Sequence, residues 1–163
     1  MRIMPFGLVA LILPQVVAGA DLNAPLDEKP TLGSEIKRGW QAAFDCSLAH
    51  IVDVQGMNDC TSAAGSKAQQ ERPNSDPFLL GLYLGSSLHF AAQAERPDPA
   101  GGPVPGISDQ ATNQRNAEED FAVYASEQKK LGVTDEQAVG TVTDLNDTGR
   151  QQALARLKAL RGH

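Results

Sequence analysis

Residues 74–94 read NSDPFLLGLYLGSSLHFAAQA, and this stretch decides the fold class. Asp76 suits the cap of a helix start, and Pro77 at the first helical position loses no hydrogen bond. From Phe78 to Ala92 the segment is apolar nearly all round, apart from a narrow polar stripe of Ser86, His89 and Gln93 at helical spacing. A helix apolar on every side belongs inside a protein or a membrane, and this one is shorter than the about 20 residues a bilayer requires. The stretch therefore predicts a central, buried helix, with Gly81 and Gly85 offering a surface for close approach of a neighbour.

Upstream, Ile36, Trp40, Ala43, Phe44, Ser47, Leu48, Ile51 and Val54 recur at three- and four-residue spacing, which predicts a first core helix starting at Ser34. Gly56-Met57-Asn58-Asp59 has turn chemistry, and residues 60–71 are polar and weakly helical. Cys46 and Cys60 are the only two cysteines. One disulfide between them is expected in preference to a free thiol or a metal-ligand pair, worth about 3 kcal/mol in the chain-entropy model. Cys46 lies about 12 Å along a regular helix from Val54, so residues 55–60 must run back along it or its last turn must fray.

Downstream, residues 97–107 are rich in Gly and Pro and predict a flexible loop. A helix is expected from about Ser108 to Leu131, with Ala117, Phe121, Tyr124 and Leu131 on one face and Gly132 as its stop. Thr134 and Gln137 form a capping box for a short helix, and Asp147 or Thr148 starts a last amphipathic helix carrying Leu154, Leu157 and Leu160. Strand signal is confined to Val139–Val142. The expectation is an all-α fold: a small helical bundle of four to five helices with one disulfide, formed by a single domain over 34–163 behind an extended lead-in at 21–33.

Residues 1–20 read as a signal peptide. Arg2 is followed by the apolar run Phe6–Leu13, and Ala18 and Ala20 stand where a signal peptidase reads small residues. Export to a periplasm or secretion is the expected location, with no membrane span after cleavage. Without Arg2 the chain holds 13 basic and 20 acidic residues, a net charge of −7 spread along its length. Such a surface repels phosphate backbones and excludes nucleic acid as a partner class.

Three constellations invite a chemical reading. His50 and Asp53, three apart, could share a metal with His89. Gly85-Ser86-Ser87-Leu88-His89 brings serines near a histidine but lacks the strained elbow of a nucleophile. Asp144-Leu145-Asn146-Asp147-Thr148-Gly149 begins like a calcium loop, yet Ala155 stands where the bidentate Glu is required, so a helix cap explains it better. No cofactor and no catalytic residue is assigned.

The two cysteines followed by Gly81-Leu82-Tyr83-Leu84-Gly85 resemble small periplasmic immunity proteins in outline, and no functional residue is carried over from that resemblance. The leading reading is a non-enzymatic protein-interaction module of an accessory, inhibitor or immunity type, docking through a helical surface such as the last helix. The alternative is a small-ligand or metal carrier, or an unrecognised enzyme, with a pocket between the first helix and the 78–92 helix lined by Trp40, His50, Tyr83 and His89. Mass spectrometry of the exported protein is expected to show a chain beginning at Asp21 and lighter by the two hydrogens of a disulfide. A mass that includes Met1–Ala20 would refute the cleavage.

Overall fold

The computed structural model describes residues 30–51, 53–98, 108–142 and 145–162. The expected signal peptide, most of the expected lead-in, residues 99–107 of the expected loop, Asp144 and His163 lie outside the described residues. Within them the fold is all-α, with six helices in order: α1 (Leu32–Ala49), α2 (Val54–Glu71), α3 (Asp76–Ala94), α4 (Gln110–Leu131), α5 (Asp135–Thr141) and α6 (Asp147–Arg161).

The central helix is where the sequence put it. Twelve residues of α3, from Pro77 to Ala91, are buried, and α3 packs chiefly against α1 and α4. Its start differs in detail: Ser75 is the cap residue, Asp76 is already helical, and the Asp76 amide donates to Asn74 Oδ1 at 3.3 Å.

The α1/α3 crossing is a backbone contact. A Cβ on Gly39 would lie 1.9 Å from the Phe78 carbonyl oxygen, and one on Gly81 would lie 1.9 Å from the Ile36 carbonyl oxygen. At Gly85 it would come within 2.6 Å of the Ala43 Cβ. Backbone cannot step aside as a flexible side chain can, so these positions admit glycine alone at this distance of approach.

That seam sets the rotation of α1 about its axis. Glu35, Ile36, Gly39, Ala43 and Cys46 face inward. Phe44 stands about 100° around the helix from Ala43. It and Leu48 were expected in the core, yet they are 50% and 56% exposed, and Ile51 beyond the helix end is 59% exposed. Helical periodicity marked an apolar face wider than the one the seam buries.

Two boundaries also differ from expectation. α1 begins at Leu32, because Thr31 and Ser34 exchange the two hydrogen bonds of a capping box, which shortens the lead-in. The expected turn at Gly56–Asp59 lies inside α2, and the true corner is at His50–Asp53. Asp53 caps α2, its Oδ1 accepting from the Gly56 amide at 3.0 Å. A Cβ on Gly56 would meet the side chains that pair across this corner, 2.2 Å from His50 Nδ1 and 2.3 Å from Asp53 Oδ2. A sixth helix is thus made from residues that individually read as turn formers.

The Cys46–Cys60 disulfide clamps α1 to α2 across this corner, with Cα atoms 5.7 Å apart. At the opposite end of α1, the buried Glu35 carboxylate pairs with Arg38 and Arg72, and the Arg72 guanidinium also lies 4.8 Å from the centre of the Phe78 ring.

The C-terminal third closes the bundle. Gly132, at φ 66°, ends α4 in the left-handed conformation, and the Thr134/Gln137 capping box opens α5 as expected. Asn146 caps α6 by accepting from the Gly149 amide at 2.8 Å, which is the helix-cap reading of the calcium-like stretch. α6 packs rather than projects. Ala153, Leu157 and Leu160 are buried, and Arg156 makes two hydrogen bonds to Glu95 at the end of α3. Tyr124 and Gln128 of α4 and Arg161 of α6 meet on Asp135 of α5, all within 2.7–3.0 Å.

Gly81→Ala is expected to destabilise the fold by about 1–3 kcal/mol or more, since it forces two helix backbones apart. Gly140→Ala in α5, where the new methyl meets nothing within 4 Å, is the control and should stabilise by up to about 1 kcal/mol. Equal effects of the two in urea denaturation would refute the seam.

Candidate functional site

The residues singled out in the sequence occupy the walls of three hollows. The first, about 210 Å³, is lined by His50, Ile51, Val54, Met57 and His89, together with residues at the end of α3 and the start of α4. The second, about 280 Å³, lies between α1, α3 and α6, where Trp40, Ala43, Phe44, Leu88, His89, Leu145 and Ala153 face it. His89 contributes to both. Trp40 and His50 therefore look into different hollows, and Tyr83 belongs to a third, so the single pocket expected between them is divided.

His50 and Asp53 are not on one helix face. They are the end cap of α1 and the start cap of α2, with His50 Nδ1 and Asp53 Oδ2 3.5 Å apart. Among the described residues no group of three or more His, Cys, Asp or Glu side chains is arranged to hold a metal ion. The His89 ring packs edge-on against Phe90, with centroids 5.5 Å apart. Burial, assisted by the Arg96 charge, lowers its pKa below the ordinary histidine value, so this imidazole is neutral at pH 7.

The rims of the first two hollows are joined by an exposed apolar row. Phe44 borders the second, Ile51 borders the first, and Leu48 stands between them at helical spacing. The exposed carboxylates of Asp45 and Asp53 flank the row.

Ser86 was read as a neighbour of His89, but its hydroxyl donates to Asp120 Oδ2 of α4 at 2.5 Å. This bond lies at the third hollow, about 280 Å³, which is lined by Asn58, Thr61 and Ser62 of α2, Tyr83 of α3, and Asn116, Glu119, Asp120 and Val123 of α4. Sequence reasoning found Tyr83 and missed the rest, because the start of α2 was read as a turn and residues 60–71 as only weakly helical, which left their polar side chains with no partner to face.

Burial pushes the Asp120 carboxyl up to about 6; the Ser86 hydrogen bond opposes this and the Glu119 charge adds to it. Tyr83 is raised by burial and then by the charges of Asp120 and Glu127. Both shifts reflect a wall that concentrates negative charge with little water to solvate it. No protein-family profile, curated protein or solved structure matches this chain.

The Asp120 shift has a stability consequence. Its folded pKa lies above the ordinary value of 3.8, so between about pH 4 and 6 the folded chain holds a proton that the unfolded chain has released. Stability from this carboxyl is complete below that window and lost as pH rises through about 6. Asp120→Asn mimics the protonated form. It should raise the melting temperature at pH 8 and change it little at pH 4, and thermal melts showing the same shift at both would contradict the assignment.

Proposed function

We propose that this chain is an exported protein-interaction module, of the accessory, inhibitor or immunity type, that docks a partner protein through the outer face of α1. The observation that carries the reading is the exposed row Phe44, Leu48 and Ile51. Two large apolar side chains one turn apart on α1, with a third just past its end, next to hollows with apolar walls, are the anatomy of a binding surface rather than scattered exposure.

The geometry also describes the partner. The hollow beside Phe44, walled by Trp40, Leu88, Leu145 and Ala153, fits an apolar side chain inserted from outside. Arg156, which lines this hollow, is already paired with Glu95, and the exposed Asp45 next to Phe44, on a chain of formal charge −6, favours a partner surface with basic residues near the row. The last helix, expected to dock, has its apolar residues turned into the bundle, so docking is assigned to α1 instead. Export is supported by the signal-like pattern of residues 1–20 and by the disulfide, a bond that persists in oxidising compartments.

A photo-crosslinking amino acid in place of Leu48, introduced in the producing cell, is expected to join the chain to one dominant protein. The purified pair should then bind with an affinity that falls about tenfold or more on Leu48→Asp, while the stability of the free chain stays within about 0.5 kcal/mol. Crosslinks only to a second copy of this chain, or none above those from an exposed position on α4 such as Glu118, would overturn the proposal.

A further inference from the structure

Among the described residues, four side chains hold a buried polar atom without a hydrogen-bond partner: Thr61 Oγ1, Asn116 Nδ2, Glu127 Oε2 and Arg150 Nε. Two of the four, Thr61 and Asn116, line the hollow between α2, α3 and α4, and these two residues are only 3% and 6% exposed. A buried polar group left unpaired costs stability, and it is retained where something other than the fold makes use of it.

The α4 wall also carries charge. Asp120, one turn beyond Asn116, is partly buried and held by Ser86, Glu119 is its neighbour in sequence, and Tyr83 of α3 lines the same space. No cationic side chain is among the described residues lining the hollow. The space thus combines unspent hydrogen-bonding groups on α2 and α4 with negative charge on α4 that no lining cation compensates. At about 280 Å³ it has the bulk of about nine water molecules at liquid density, which suits one small molecule of sugar size.

We infer that this hollow binds a small hydroxylated ammonium compound, an amino sugar or amino alcohol, with Asp120 taking the ammonium and Thr61 and Asn116 taking hydroxyl oxygens. The unpaired Asn116 N–H has almost no exposed surface in the ligand-free fold, so it reaches a ligand by rotation of its side chain. The Thr61 hydroxyl can both donate and accept, and threonine in a helix has two accessible χ1 rotamers, one of which suffices to turn the hydroxyl toward a ligand. The ligand would meet groups whose desolvation the fold has already borne, so each bond formed adds to affinity without that penalty. This second site lies on α2, α3 and α4, and is independent of the docking face on α1.

The test is a titration of the isotopically labelled full mature chain with glucosamine, ethanolamine and glucose at neutral pH, followed by nuclear magnetic resonance. Saturable shifts centred on residues 58–62 and 116–123 are expected for glucosamine or ethanolamine at millimolar concentration, with glucose about tenfold weaker or silent. Asp120→Asn and, separately, Thr61→Val should each weaken binding about tenfold. Thr61→Val serves as the fold control. It removes the unpaired hydroxyl at nearly constant shape, so the melting temperature of the ligand-free protein should hold or rise. Absence of saturable binding by both amines, equal binding of glucose, or a lower melting temperature for Thr61→Val would each overturn the inference.

Discussion

The structure depends on two helix backbones touching. Where α1 crosses α3, Gly39 faces the Phe78 carbonyl and Gly81 faces the Ile36 carbonyl at distances that leave no room for a methyl group. Close approach of this kind gains dispersion contacts along the whole crossing and removes any freedom of α1 to roll. Gly85 against Ala43 extends the contact by one further turn. The disulfide and the Glu35 ion pairs then fix the two ends of α1 that the glycines leave free.

Functional consequences follow from that fixed rotation. With Ile36, Gly39, Ala43 and Cys46 turned inward, the row Phe44, Leu48 and Ile51 has nowhere to go but solvent. The apolar row is therefore part of the same packing arrangement that makes the core, and it is presented rigidly, which lowers the ordering cost of an interface. On the far side of α3, the helix bonds to α4 through Ser86 and Asp120, and α2 leans over the same edge to close a polar hollow. One central helix thus separates an exposed apolar row from an acidic, polar hollow.

Much of the framework was legible in the residues themselves. The all-round apolar segment at 78–92, the Thr134/Gln137 box and the Gly132 stop each have a local physical cause, and each stands where it was expected. The disulfide pairing needed no more than two cysteines. What escaped was tertiary in origin. Gly56, Asn58 and Asp59 carry turn chemistry yet form helix, because Asp53 caps them and Cys60 anchors them to α1. Phe44 and Leu48 satisfy helical periodicity yet lie outside, because a glycine seam buries a narrower stripe than side-chain packing would. The cavity at Asp120 escaped for a related reason, since its three walls come from segments separated in sequence and one of them was read as a turn followed by only weak helix.

Hydroxyl-radical footprinting of the purified protein tests most directly the claim that α1 is held seam-side in and row-side out. Phe44, Leu48 and Ile51 should label readily, while Ile36, Leu80 and Leu84 on the inner side of the crossing, each at most 1% exposed, should stay protected until the protein unfolds. Protection of Phe44 and Leu48 in the isolated folded chain would mean that α1 is rolled or already covered, and both the seam and the docking face would have to be abandoned.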